Sequence, residues 1–86
     1  MSTRLYWRPT HQPGDTLPTA LKYVVARKWW GHDGTLGSEP YTVSDKDRDF
    51  LEGVMAATQN DETRDGARRL LALVEQYGEV DVWLQS

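Results

Sequence analysis

The two ends of the chain have alternating apolar and polar side chains, a pattern typical of half-buried β-strands. Near the N-terminus the alternation covers about residues 3–8 and stops at Pro9, and near the C-terminus it covers residues 79–84. A lone strand leaves its backbone N–H and C=O groups unpaired, so each segment needs a neighbouring strand. We therefore predict one small sheet that contains both terminal strands, and the sequence leaves open whether they run parallel or antiparallel.

The segment after the first strand predicts a helix that ends near Trp30. Asp15 or Thr16 can serve as its N-cap, and Pro18 then falls in the first turn, where proline is tolerated. Gly31 can end the helix, because glycine adopts the left-handed conformation common at helix C-termini. The apolar residues at helical spacing form the predicted buried stripe: Leu17, Leu21, Val24, Val25 and Trp29.

A second helix is predicted over residues 45–58, and residues 41–43 can form a short strand before it. Ser44 and Asp47 have the spacing of a capping box, in which each residue satisfies a free backbone N–H of the other. Several acidic residues in the first turn also complement the positive end of the helix dipole. The predicted buried stripe consists of four apolar residues: Phe50, Leu51, Val54 and Met55.

A third helix is predicted from a cap at Asn60 or Asp61 to Tyr77. Its predicted inward-facing residues are Ala67, Leu70, Leu71, Val74 and Tyr77. Gly53 and Gly66 lie inside predicted helices, where each costs about 1 kcal/mol relative to alanine. We expect close packing between the second and third helices to compensate, unless the third helix starts only at Gly66.

The element order is β-α-(β)-α-α-β, which predicts an α+β fold with three helices packed on one face of the small sheet. The chain has 86 residues and no cysteine, so a packed apolar core must stabilise it without disulfides. We find no internal repeat and no long loop, and we therefore expect residues 1–86 to form a single domain.

Charge is distributed unevenly along the chain, whose net charge is −3. Residues 1–30 have five basic and one acidic side chain, whereas residues 31–63 have two basic and eight acidic side chains. A nucleic-acid binder needs a concentrated basic surface, so direct nucleic-acid binding is not expected. No apolar run approaches the ~20 residues that cross a bilayer, and we expect a cytoplasmic protein without a membrane partner.

Few residues have the side chains of a metal or catalytic site. Three alternating aspartates from Asp45 imitate the start of a calcium-binding loop, but Phe50 and Ala56 occupy the positions that require glycine and glutamate. His11 and His32 have no second histidine at ligand spacing. No phosphate-binding loop or nucleophile elbow is present. We therefore predict no metal, no cofactor and no enzymatic activity.

The densest group of unusual residues is 27–37, at the end of the first helix and in the glycine-rich loop after it. Adjacent helical residues point about 100° apart, so Trp30 faces the edge or the solvent if Trp29 faces the core. An exposed tryptophan beside charged residues is typical of an interaction hot spot. The alternative is that Trp30 packs under its own loop while neighbouring side chains bond loop amides. The candidate partner-binding residues here are Lys28, Trp30, His32 and Asp33.

The leading hypothesis is a small non-enzymatic module, a regulator or inhibitor, that binds another protein through the Trp30 loop or through the acidic second helix. The acidic candidates are Asp45, Asp47, Asp49 and Glu52. An alternative is an acidic mimic, such as a phage-encoded inhibitor of a host system, whose clustered carboxylates replace phosphates. A small hydrolase using His32 and Asp33 is a third hypothesis, and it needs a pocket that so short a chain can barely enclose unless it forms a homodimer.

Overall fold

The computed structural model describes residues 3–9 and 12–85. Its strands are β1 (Arg4–Pro9), β2 (Asp15–Thr16), β3 (Tyr41–Val43) and β4 (Val80–Gln85). Its helices are α1 (Ala20–Trp29), α2 (Arg48–Ala57) and α3 (Asp61–Tyr77), and one 3-10 turn, Asp45–Asp47, leads into α2. Within these residues, no helix is long and apolar enough to cross a membrane.

The terminal strands are neighbours in one antiparallel sheet, whose strand order is β2-β1-β4-β3. Leu5 lies opposite Leu84, and Trp7 lies opposite Val82. These side chains belong to the face on which the helices pack, and Leu5, Val82 and Leu84 are buried there. The α+β fold with the helices on one face of a small sheet is therefore confirmed, and the orientation of the terminal strands is antiparallel.

The start of α1 differs from the prediction. Asp15 and Thr16 pair with β1 as the short strand β2 instead of capping a helix, and α1 begins only at Ala20. Gly14 allows this pairing, because a Cβ atom there would lie 1.7 Å from the Trp7 carbonyl oxygen. Pairing with β1, the preceding strand, satisfies backbone groups of these two residues, and a strand of only two polar residues has no alternation that would predict it.

The N-termini of the other two helices agree with the predicted caps. The Ser44 amide donates to Asp47 Oδ2 at 3.1 Å within a complete capping box. Asn60 Oδ1 accepts a hydrogen bond of 2.9 Å from the Thr63 amide at the start of α3. The predicted box at Ser44 is therefore present, but it caps the 3-10 turn that precedes α2, whereas the cap at Asn60 starts α3 directly.

The two helical glycines have different surroundings from those predicted. A Cβ atom on Gly66 would lie 3.0 Å from Leu21 Cβ, so this glycine brings α3 close to α1 and not to α2. Gly53 is exposed, and a Cβ atom there would have no neighbour within 4 Å. The predicted close packing of α2 on α3 at Gly53 is therefore wrong, and α3 begins at Asp61, well before Gly66.

The core lies between the helices and one face of the sheet. Its buried side chains come from every helix and from three strands, and the largest are Leu5, Leu21, Leu51, Leu70 and Leu84. Burial of each such side chain stabilises the fold by about 1.5–3 kcal/mol. Tyr77, which was predicted to face inward, is 38% exposed because it lies in the last turn of α3 and packs only at the edge, against Trp7.

Candidate functional site

The two adjacent tryptophans at the end of α1 have different environments. The Trp29 ring stacks on Tyr41 with 4.7 Å between ring centroids and meets Phe50 edge-on. The Trp30 ring packs perpendicular to Trp29 at 6.0 Å, and its Nε1 donates to the Glu39 carbonyl oxygen at 2.9 Å. Trp30 is therefore half-buried, and it ties the end of α1 to the far end of the loop that follows.

That loop, residues 31–40, is called the glycine loop below. The Gly34 amide donates to His32 Nδ1 at 3.0 Å, and Asp33 Oδ1 accepts bonds from the Thr35 hydroxyl at 2.6 Å and the Thr35 amide at 3.2 Å. The bonds from Thr35 lower the pKa of the Asp33 carboxyl. Trp30, His32 and Asp33 therefore each make a separate bond that holds the loop in shape.

Further bonds anchor the glycine loop to the sheet. Thr3 Oγ1 donates to the Thr35 carbonyl oxygen at 2.9 Å. Ser38 exchanges two bonds with Leu84, from the Ser38 amide to the Leu84 carbonyl at 3.0 Å and from the Leu84 amide to Ser38 Oγ at 2.8 Å. Leu36 lies between these anchors and is nevertheless 62% exposed. The sequence analysis did not single out Leu36, although an apolar residue inside a polar loop is the signal that could have found it.

Lys28 and the acidic candidates lie elsewhere. The Lys28 ammonium lies over the Phe50 ring of α2, 5.7 Å from its centroid. Asp45 is exposed at the start of the 3-10 turn, and Arg48 pairs with it at 2.9 Å and with Glu52 at 4.0 Å. Asp49 is exposed and lines an open groove between α1 and α2. The exposed acidic residues therefore share their surface with a basic side chain.

Asp47 does not belong to that acidic surface. It is only 6% exposed, and it accepts bonds from the Tyr41 hydroxyl at 2.8 Å and from the Ser44 amide at 3.1 Å. Burial and the bond to Asp47 raise the pKa of Tyr41 to about 12. The inclusion of Asp47 among the accessible partner-binding residues is corrected, because its carboxylate is used inside the fold.

The face of the sheet opposite the helices has an aromatic cover that the sequence analysis also missed. Tyr6 stacks on Trp83 at 5.7 Å, and the Arg8 guanidinium lies 5.2 Å from the Trp83 ring centroid. Arg8 also pairs with Asp81 at 3.7 Å, and Asp81 accepts a bond from the Thr42 hydroxyl at 2.9 Å. These contacts hold the aromatic and charged side chains against one another across the outer face of the sheet.

Within residues 3–9 and 12–85, no group of three or more histidine, cysteine or acidic residues is placed to hold a metal ion. His11 lies outside the described residues. Two surfaces with exposed apolar area and charged neighbours are the glycine loop and the α1–α2 groove. Comparisons with protein-family models, curated proteins and solved structures find no match for this chain.

Proposed function

We propose that this chain is a non-enzymatic protein-interaction module that inserts Leu36 of the glycine loop into an apolar pocket of a partner protein. The observation that carries the proposal is the combination of a leucine exposed by 62% with a loop bonded on both sides of it. Such a module acts as a regulator or inhibitor by occupying its partner, without transforming a substrate.

The bonds within the loop support binding by reducing its entropic cost. A flexible loop loses conformational freedom when it docks, whereas a loop already held in shape loses much less. Here the bonds at Asp33, at Ser38 and at Trp30 hold the loop before any partner arrives. Transfer of the Leu36 side chain from water to a pocket then contributes about 1.5–3 kcal/mol.

The alternative of an acidic mimic has less support. Imitation of a phosphate backbone needs several exposed and uncompensated carboxylates. Asp47 is buried, and Arg48 lies between Asp45 and Glu52 and pairs with both. The remaining negative charge on this surface is therefore too small and too mixed to make the mimic the leading proposal.

Quantitative partner capture tests the proposal. The wild-type chain and a Leu36→Asp variant serve as baits in extracts of the source cells, and Tyr23→Ser serves as the matched control, because Tyr23 is 53% exposed on α1, outside the glycine loop. We expect a stoichiometric partner that wild type and Tyr23→Ser retain and that Leu36→Asp loses.

The captured protein is then purified, and its affinity is measured against each variant. Leu36→Ala should weaken binding by about 1–3 kcal/mol, and Ser38→Ala should weaken it less, because Ser38→Ala loosens the loop without removing the contact. Circular dichroism confirms that each variant is folded. Equal affinity of wild type and Leu36→Asp for the same partner would contradict the proposal.

A further inference from the structure

The second surface is the open groove between α1 and α2. Both helices pack against α3, and they contact each other far less, which leaves a groove of about 490 Å³ between them. Its lining is largely apolar and comprises Val24, Phe50, Gly53, Val54, Ala57 and Thr58, with Asp49 at the edge. No residue of the glycine loop lines this groove. A function of the groove is therefore independent of the function proposed for Leu36.

Gly53 lies in this groove, and the described residues give no packing reason for a glycine there. Glycine destabilises the interior of a helix relative to alanine. Such a residue is usually compensated by the close approach of another part of the fold, as Gly66 is by Leu21. At Gly53 nothing lies within 4 Å of the Cβ position. A helix from another molecule could approach closely at Gly53, where no side chain stands in the way.

The two sides of the groove have opposite charges. On the α1 side, Arg27 and Lys28 are exposed one turn after Val24, and Lys28 lies over Phe50. On the α2 side, Asp49 is exposed at the edge. Among the ion pairs of the described residues, none involves Arg27, Lys28 or Asp49. The groove therefore has one basic and one acidic side, and their charges form no ion pair within the part of the chain that the structure describes.

We propose that two copies of this chain pack with their grooves facing each other and form a symmetric dimer. A two-fold axis that runs along the groove places the α1 side of one copy opposite the α2 side of the other. Lys28 of each copy then faces Asp49 of the other copy, and both pairs form at once, as a closed symmetric interface requires. The exposed apolar surface of Phe50 and Val24 is buried between the two copies.

A second copy fits this groove better than an unrelated charged helix does. A purely basic segment would be attracted by Asp49 but repelled by Arg27 and Lys28. A purely acidic segment would be attracted by Arg27 and Lys28 but repelled by Asp49. A second groove of the same kind has both a basic side and an acidic side. Self-association therefore satisfies both sides with residues that this chain supplies.

Charge reversal in two separate variants tests the dimer. The oligomeric mass of the full chain is measured by analytical ultracentrifugation over a wide range of protein concentration and ionic strength. We expect wild type to reach twice its mass of 9.9 kDa and to dissociate more readily as salt increases. Lys28→Glu and Asp49→Lys should each weaken dimerisation about tenfold or more, because each variant places like charges opposite one another twice.

An equimolar mixture of the two variants gives the decisive result. In the mixed dimer, Glu at position 28 of one chain faces Lys at position 49 of the other, and the native Asp49 and Lys28 face each other at the second pair. The mixture should therefore recover the dimeric mass. This recovery also shows that neither variant had merely unfolded.

A matched control and a steric variant complete the test. Glu75→Lys changes an exposed charge on α3, outside the groove, and should leave the dimer unchanged. Gly53→Leu fills the groove and should give a folded monomer. A wild-type chain that stays monomeric at every concentration would overturn the proposal. So would a dimer that the single reversals do not weaken, or a mixture of variants that remains monomeric.

Discussion

The glycine loop and the α1–α2 groove differ in how far the chain satisfies them from within. In the loop, His32, Asp33 and Ser38 use their polar atoms on the loop and the sheet, and one apolar side chain, that of Leu36, remains outside. In the groove, an apolar floor stays open between α1 and α2, and Lys28 and Asp49 form no ion pair among the described residues. Under the two proposals, the loop would bind through its rigidity, whereas the groove would bind through its open apolar floor and its unpaired charges.

The largest expected effect comes from Leu21→Ala, because α1 borders both regions. Leu21 is fully buried and packs against Gly66 of α3. Its truncation should lower the free energy of unfolding by about 2–5 kcal/mol, measured by urea denaturation. The glycine loop and the helices that line the groove should then unfold in the same transition, at a lower urea concentration. A midpoint equal to that of wild type would show that α1 does not hold the two regions in place.

Trp30→Ala should affect the loop and spare the groove. It removes the ring packed on Trp29 and the bond to the Glu39 carbonyl, and the expected loss of stability is about 1–3 kcal/mol. Trp30→Phe keeps a ring and should lose about 1 kcal/mol, mainly from the hydrogen bond. Hydrogen exchange by NMR should report faster exchange in residues 34–39 and unchanged exchange in α2. Faster exchange in α2 as well would show that Trp30 stabilises the groove and not only the loop.

Gly53→Ala should stabilise the monomer by about 1 kcal/mol, because alanine favours the helix and a Cβ atom at this position meets nothing within 4 Å. The close packing of the second and third helices that the sequence predicted here would instead make a larger residue destabilising. Thermal unfolding at low protein concentration measures the difference. Gly66→Ala is the control and should destabilise, since its Cβ would press on Leu21. A lower midpoint for Gly53→Ala would indicate a contact within the fold that the groove does not show.

The smallest expected effect is a pH dependence of the loop. Hydrogen bonds from Thr35 lower the pKa of Asp33, so the ionised carboxylate favours the folded loop. This contribution is present above the ordinary aspartate pKa and is lost as pH falls through the lowered value. NMR titration of the Asp33 carboxyl should show a pKa below that of an unfolded peptide. Thr35→Val should move this pKa back up, and an unchanged value in that variant would contradict the assignment.

Much of the fold could be predicted because its signals are local. The alternation in both terminal strands and the caps at Ser44 and Asn60 depend on residues close in sequence, and all appear in the structure. Strand β2 could not be predicted, because its pairing depends on Gly14 passing close to Trp7. A small residue likewise indicates close packing but does not identify the element that packs against it. Gly66 was therefore predicted to pack against α2, whereas it packs against α1.

The candidate surfaces were harder to predict than the fold. The position of Trp30 relative to Trp29 follows from helix geometry, but the exposure of Leu36 depends on the path of the whole loop. The burial of Asp47 depends on the Tyr41 hydroxyl, which the short strand β3 brings to it. Residue type indicated which side chains could bind a partner, whereas the tertiary contacts decided which of them remained free.

The lengths of the strands have a consequence for behaviour at high concentration. The two outer strands, β2 and β3, have two and three residues, whereas the inner strands β1 and β4 have six each. Short edges offer few free backbone groups to a strand from another molecule, and Ser38 covers part of the remaining edge of β4. Growth of the sheet from chain to chain, the first step towards fibrils, is therefore disfavoured. Association through side chains can then proceed without competing polymerisation.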